Sequence, residues 1–327
     1  MKPPAIFGSS RLLTFVLKLL ISAGLIAYFV WQIDLTRVVV ALRHTRILYL
    51  LIGLILYPMG QVICAVKWQY LANALGIQKD LKPMIRLYFI GMFFNMFLPT
   101  SIGGDITRGL YLSPNSPSKR VAFLSVIAER GTGVLAMMIL ASVAMLSPVG
   151  EPLPYWLRFG FPVASVVIIL GLWFLPLLLK GTRARLRSLI YDDLIVLWQK
   201  PRVGFIALIY SVIFHCILVV IHICIARALA LNIPAAYHFI TETLASLASL
   251  LPSFSGIGVR DGAYLYLLGR AGIEREYALL FSFLWFLIMA ISSCIGCIMY
   301  LIRGLSPAAK SGMTDETNGG AYAERLG

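Results

Sequence analysis

Charge is scarce in this chain: 13% of its 327 residues are Asp, Glu, Lys or Arg, and only 14 are acidic. A soluble domain carries about a quarter charged residues, so a water-soluble enzyme and a disordered chain are both excluded. Cysteine is sparse too. The five thiols (Cys64, Cys216, Cys224, Cys294 and Cys297) sit inside apolar segments, which excludes a secreted disulfide scaffold. Cys294 and Cys297 share a helix face at i, i+3, but no second pair completes a metal site. His215 and His222 stand seven apart near Cys224 and lack a third ligand, so neither metal nor other cofactor is expected. No Gly-x-Ser-x-Gly elbow and no Walker loop is present. No cleaved leader is expected, because Lys18 interrupts the first apolar run and no small-residue cleavage site follows it.

What fills the chain instead is apolar: 60% hydrophobic residues and a mean hydropathy of +0.87. Runs of about twenty apolar residues are long enough to cross a ~30 Å hydrocarbon core as helices. The expected fold is an all-α polytopic membrane protein with six spans, near 13–33, 47–66, 121–147, 155–178, 204–231 and 277–302. Two further stretches, 84–112 and 238–269, are apolar but broken by Pro and Gly. Lipid cannot satisfy free backbone groups, so such breaks survive only inside protein or beside water. Both stretches are expected to be re-entrant broken helices. Residues 1–303 then form one membrane domain, and the polar, Gly-rich segment 304–327 a disordered cytoplasmic tail.

The net charge of +14 implies orientation rather than nucleic-acid binding, because the basic residues cluster in short loops. With both termini inside, six of the 28 Lys and Arg fall in outer loops (Arg37, Arg43, Arg46, Arg158, Arg270 and Arg275). Five more (Lys18, Arg108, Arg130, Arg227 and Arg260) lie in or near the membrane, and the other 17, Lys67 among them, lie inside. That asymmetry places a cell (inner) membrane protein with cytoplasmic N- and C-termini.

The chain also repeats itself. LPTSIGGDITRGLY at 98–111 and LPSFSGIGVRDGAY at 251–264 share five residues at an offset of 153, while Ala74–Ile77 echoes Ala230–Ile233 at an offset of 156. Pseudo-repeats at about 13–147 and 155–302 each hold three spans and one broken stretch. On the orientation above they are upside down relative to each other. Inverted repeats whose broken helices meet near the midplane are a recurring transporter plan.

Ionisable residues inside a membrane cost at least ~2.5–3.5 kcal/mol each and mark function by default. Here they are Asp105, Arg108, Glu129, Arg130, Glu242, Arg260 and Asp261, four of them just after the two breaks. The residues expected to bind substrate are Gly103, Gly104, Asp105 and Arg108 in the first break, with Gly256, Gly258, Arg260 and Asp261 in the second. A helix restarting there offers free N–H groups and a positive dipole end, and an arginine adds a bidentate fork for an anionic headgroup. Glu129 and Arg130 point about 100° apart on a helix and must pair elsewhere; they are the proton-coupling candidates. Gly131 and Gly133 beside them are expected to admit a neighbouring helix.

At these residues the chain resembles the lysylphosphatidylglycerol synthase transmembrane-region family, the flippase-like membrane module of MprF-type proteins. The resemblance rests on Asn95 with Leu98-Pro99, Gly103-Gly104-Asp105, Arg108 and Glu129-Arg130, then Leu251-Pro252 and Gly256 through Gly262. The second family motif ends in Glu where this chain has Asp261, which keeps the carboxylate at shorter reach. The resemblance implies translocation of a lipid between leaflets. Only about two dozen polar residues follow residue 303, so a soluble aminoacyl-transferase domain, and with it lysyl transfer, is not expected. The expected function is a lipid translocase for an anionic or glycosylated lipid, not an enzyme. The alternatives are an intramembrane enzyme acting on a lipid headgroup and an accessory subunit of a lipid-modifying enzyme. The expected partner is a membrane lipid with an anionic or phosphate-bearing headgroup, with room for a homo-oligomer or an enzyme partner.

Overall fold

The computed structural model describes residues 42–97, 103–179, 199–250 and 258–303. The expected span at 13–33, the tail at 304–327 and Gly256 lie outside these residues. Among the described residues nine α-helices follow in order: α1 Ile47–Ala74, α2 Leu81–Phe97, α3 Gly103–Leu112, α4 Lys119–Leu146, α5 Tyr155–Leu179, α6 Pro201–Ala228, α7 Tyr237–Ala248, α8 Val259–Arg270 and α9 Arg275–Arg303. No strand occurs among the described residues. Helices α1, α4, α5, α6 and α9 are long and apolar enough to cross a membrane. At 1.5 Å per residue, the 28 residues of α1 reach about 42 Å, more than the hydrocarbon core requires.

The remaining four helices are short. They form two pairs, α2 with α3 and α7 with α8, each packed against its mate. The breaks fall where Pro and Gly interrupt the apolar pattern. Each pair is a hairpin whose two ends meet. Lys79, just before α2, donates to Asn115 Oδ1, just after α3, at 2.7 Å. Tyr237 at the start of α7 donates to the Leu267 carbonyl near the end of α8, also at 2.7 Å.

Helices α1 and α6 form the central pair and run antiparallel. The Arg46 N–H donates to the Ala228 carbonyl at one end, and Lys200 Nζ reaches the Ala74 carbonyl at the other. Between them Gly60 faces the Phe214 ring, where an added Cβ would stand 3.2 Å away. The first hairpin opens at the Ala74–Lys200 end and the second at the Arg46–Ala228 end. The packed pairs also correspond between the two parts of the chain. Helices α1 to α4 begin at 47, 81, 103 and 119, and α6 to α9 at 201, 237, 259 and 275, offsets of 154, 156, 156 and 156. Exchanging the two sets leaves the principal packing unchanged: α2 on α9 mirrors α7 on α4, and α1 on α4 mirrors α6 on α9.

That register differs from the offset of 153 read from the shared Leu-Pro and Gly residues. The helix starts on both sides of the breaks, 81 and 103 against 237 and 259, keep the offset of 156, so the shared Leu-Pro and Gly residues fall three positions out of the structural register. By position in the helix, Asp105 corresponds to Asp261, each the third residue of its helix.

Apolar packing fixes this frame. One buried cluster joins α1, α6, α7, α8 and α9 around Tyr57, Ile221, Tyr264, Phe281 and Trp285. A second joins α1, α2, α3 and α4 around Trp68, Met84, Tyr88 and Leu112. Helix α5 packs chiefly on α4 and leaves Val163, Val166, Val167, Ile168 and Leu170 exposed, an apolar face suited to lipid.

Candidate functional site

The first hairpin carries its charged residues into the bundle through unusually close backbone contact. A Cβ on Gly104 would occupy the space of the Gly91 carbonyl oxygen, and one on Gly91 would lie 2.6 Å from the Arg108 side chain. Only glycine lets α2 and α3 approach this closely. The Gly104 N–H, free at the helix start, is capped by Asn95 Oδ1 at 2.8 Å.

Arg108 is 1% exposed. Its Nη2 donates to Glu129 Oε2 at 3.1 Å and its Nη1 to Asp105 Oδ1 at 3.3 Å. The guanidinium carbon lies 4.3 Å from the Trp68 ring centroid and 4.2 Å from that of Tyr88. Desolvated cation–π contacts of this kind contribute about 2 kcal/mol. In this conformation Arg108 therefore holds carboxylates in place, and its fork is already taken.

Glu129 faces a second cation. Lys67 Nζ stands 3.0 Å from Glu129 Oε1 and donates to the Glu129 carbonyl at 2.9 Å and to Ser211 Oγ at 3.0 Å. All three ammonium donors are used. Lys67 was expected in a cytoplasmic loop, and the structure corrects that: α1 continues to Ala74 and Lys67 is 1% exposed. With a cation on each oxygen, Glu129 has the geometry of an ion-pair partner rather than of a proton carrier.

Arg130 points the other way, as the 100° step requires. Its Nη2 and Nε clamp Asp105 at 2.9 and 3.1 Å, and its side chain is 51% exposed. It sits eleven residues into α4, about 16 Å along the helix. A half-exposed arginine that far along an apolar helix is costly against lipid tails, which favours a watery or polar surrounding. Lys67, Arg108 and Arg130 against Glu129 and Asp105 leave one positive charge in excess. The neighbouring glycines differ from expectation. Among the described residues an added Cβ at Gly131 meets nothing within 4 Å, and one at Gly133 would stand 3.7 Å from Lys67 Nζ rather than against a helix backbone.

In the second hairpin, Gly258 takes φ +87° to turn the chain into α8. Asp261 caps that start: its Oδ2 accepts the Gly258 N–H at 2.8 Å, and its Oδ1 accepts the Ser282 hydroxyl. Asp261 thus serves the helix end and leaves its neighbour Arg260 alone. Arg260 is 5% exposed, stacks 5.6 Å over Phe286 and has an unpartnered Nε; among the described residues no carboxylate pairs with it.

A third polar group escaped the sequence reading as a cluster. His215 on α6 bonds Glu242 Oε2 on α7 through Nδ1 at 3.3 Å and the Gly133 carbonyl on α4 through Nε2 at 3.1 Å. His222, two turns on, donates from Nδ1 to the Leu218 carbonyl at 2.8 Å and accepts the Tyr264 hydroxyl at Nε2 at 2.7 Å. Ser211, bonded to Lys67, lies one turn before His215. A buried polar chain therefore runs from Asp105 through Arg108, Glu129 and Lys67 toward His215 and Glu242.

These features define a multi-pass α-helical membrane protein with a buried charged centre between two broken-helix hairpins. The match to known families agrees: the lysylphosphatidylglycerol synthase TM region fits residues 15–296, and the chain belongs to that family of lipid-related membrane modules. It is similar to the UPF0104 membrane protein PH1989 of Pyrococcus horikoshii, 25% identical over 134 residues, 40% of each chain. It is also similar to the UPF0104 membrane protein MJ1595 of Methanocaldococcus jannaschii, 28% identical over 117 residues, 35% of this chain and 34% of the relative. The matches thus span well under half of those relatives. No solved structure matches the chain.

Proposed function

We propose that this protein is a lipid translocase that moves an anionic or glycosylated lipid between leaflets of the cell membrane. The observation that carries the reading is Arg260: a buried guanidinium at the start of α8 with no carboxylate paired to it among the described residues. A buried cation without a counter-charge costs several kcal/mol, and a phosphate headgroup would supply the missing charge through a bidentate fork. Arg130 of α4 offers a matching group beside the first hairpin, held by Asp105 of α3 until an anion replaces that carboxylate. The antiparallel α1 and α6, the matched packing and the hairpins opening at opposite ends favour an inverted repeat with two re-entrant segments, the plan alternating access requires. The excess of basic residues in the loops favours cytoplasmic termini.

The test uses the purified full chain in phosphatidylcholine liposomes containing fluorescent NBD-phosphatidylglycerol, with dithionite quenching of the outer leaflet. Arg260→Ala and Arg130→Ala should each slow translocation at least tenfold, the equivalent of about 1.4 kcal/mol per decade. Arg260→Lys should recover part of the rate, because a point charge replaces a planar fork. Wild-type rates in the double alanine variant would sink the reading. A covalently altered lipid in mass spectra would make the protein an enzyme instead, and activity only with an added enzyme would make it an accessory subunit.

A further inference from the structure

The His215–Glu242 contact has a stoichiometry of its own. His215 Nε2 faces the Gly133 carbonyl, which can only accept, so Nε2 carries a hydrogen. The ring's other nitrogen, Nδ1, faces Glu242 Oε2 at 3.3 Å. A hydrogen bond between them requires one proton, held either as imidazolium with carboxylate or as imidazole with carboxylic acid. Glu242 Oε1 is engaged separately by the Ser246 hydroxyl at 3.2 Å. Both side chains are buried, 5% and 2% exposed.

We infer that His215 and Glu242 form a one-proton latch joining α6 and α7 of the second half to α4 of the first. With the proton in place the pair is neutral overall and bonded to all three helices. When the proton leaves to water, the pair carries one negative charge, and the Nδ1 lone pair faces a carboxylate oxygen. That contact is repulsive, so the bond between α6 and α7 opens. The surroundings keep the proton the variable element. From α1, Lys67 lies beside Ser211, one turn away, with its charge matched by Glu129 of α4. Arg130 of α4 is matched by Asp105. From α6 itself comes His222, whose two ring nitrogens are bonded to Leu218 and Tyr264. From α7 comes His238, which stacks on Phe281 of α9. From α8 come Tyr264, whose hydroxyl bonds His222 Nε2, and the buried Arg260. Helix α9 contributes Phe281 and Trp285 beside His222.

Resting on the translocase reading, the latch deepens it: proton release frees the second hairpin to move against the first half, tying lipid movement to a proton gradient. The sequence pointed to Glu129 for that role; the doubly paired geometry of Glu129 points to Glu242.

Two measurements on the full chain in liposomes separate the ideas. Infrared difference spectra across a pH titration should show a change in the bands of one carboxyl group, either exchange between its protonated and ionised forms or a shift of its carboxylate bands as the bonded imidazolium loses its proton. The change should vanish in Glu242→Gln and move to a different pH in His215→Gln. An unaltered change in folded Glu242→Gln overturns the proton site, and His215→Gln tests it independently should Glu242→Gln not fold. In the NBD-phosphatidylglycerol assay an imposed pH difference should alter the wild-type rate severalfold and leave Glu242→Gln unresponsive. A wild-type rate indifferent to that pH difference overturns the coupling while leaving the translocase reading intact. The infrared change without translocation of any lipid probe supports the latch and overturns the translocase reading.

Discussion

Lys67 and Glu129 can be separated from their surroundings by a double-mutant cycle, because their contact is buried and geometrically complete. Lys67→Met removes three donors but leaves Glu129 its bond to Arg108. Breaking a buried pair by removing one partner costs about 3–5 kcal/mol, and the remaining arginine places this variant near 3. Glu129→Gln is the harsher change. It strips the counter-charge from Lys67 and from one side of Arg108 together, which places its cost near 5 kcal/mol. In the double variant Lys67 no longer stands as an uncompensated cation. That variant should therefore be about 2–3 kcal/mol more stable than the two single costs combined. Reversible unfolding in mixed detergent, followed by helical circular dichroism, measures all four corners. Additivity within about 0.5 kcal/mol would refute the pairing, since independent sites add to that tolerance.

Two other expectations follow from single contacts. Gly104→Ala should lower stability by about 2 kcal/mol or more, read as a lower melting temperature, because the added methyl group and the Gly91 carbonyl cannot share one position. Trp68→Phe should cost about 1 kcal/mol in the same assay, since Ser125 loses the indole N–H yet still donates to the Ala122 carbonyl at 2.7 Å.

The long helices were legible in the sequence because each satisfies its backbone internally and needs only a sustained apolar run. The breaks were legible for the converse reason, and Asp105, Arg108, Glu129 and Arg130 do meet where the embedded charges pointed. Lys67 was missed because the apolar run stops at Val66, one residue short. The helical stripe Gly60, Cys64, Lys67, Trp68 and Leu71 (i, i+4, i+7, i+8, i+11) was the available signal that α1 turns this lysine inward. His215 and Glu242 were visible singly, but their partnership spans 27 residues and depends on how α6 and α7 cross. The fate of the two arginines was equally hidden. Arg108 is consumed by carboxylates from its own helix and from α4, whereas Asp261 turns to the Gly258 N–H and leaves Arg260 with no paired carboxylate among the described residues.

The contacts at the hairpin mouths yield a final prediction about sidedness. Lys79 touches Asn115, so the entrance of α2 and the exit of α3 share one end of the bundle. Tyr237 touches Leu267, and Arg270 Nε reaches the Pro152 carbonyl at 2.7 Å, so the second hairpin closes at the end where α4 finishes. Helix α4 starts at the first of these ends and is long enough to cross, so the prediction is that the two mouths lie on opposite faces of the membrane. Helix α3, with ten residues, extends only about 15 Å and cannot cross by itself. In a background without the five native thiols, Lys82→Cys and Pro114→Cys should react with a membrane-impermeant maleimide from one side. Ala235→Cys and Gly269→Cys should react only from the other; all four positions are exposed, and an added side chain at Gly269 meets open space. If instead a broken segment were one kinked span, its two ends would label from opposite sides. The two hairpins could not then face each other across the membrane, and the inverted-repeat arrangement proposed for translocation would be refuted.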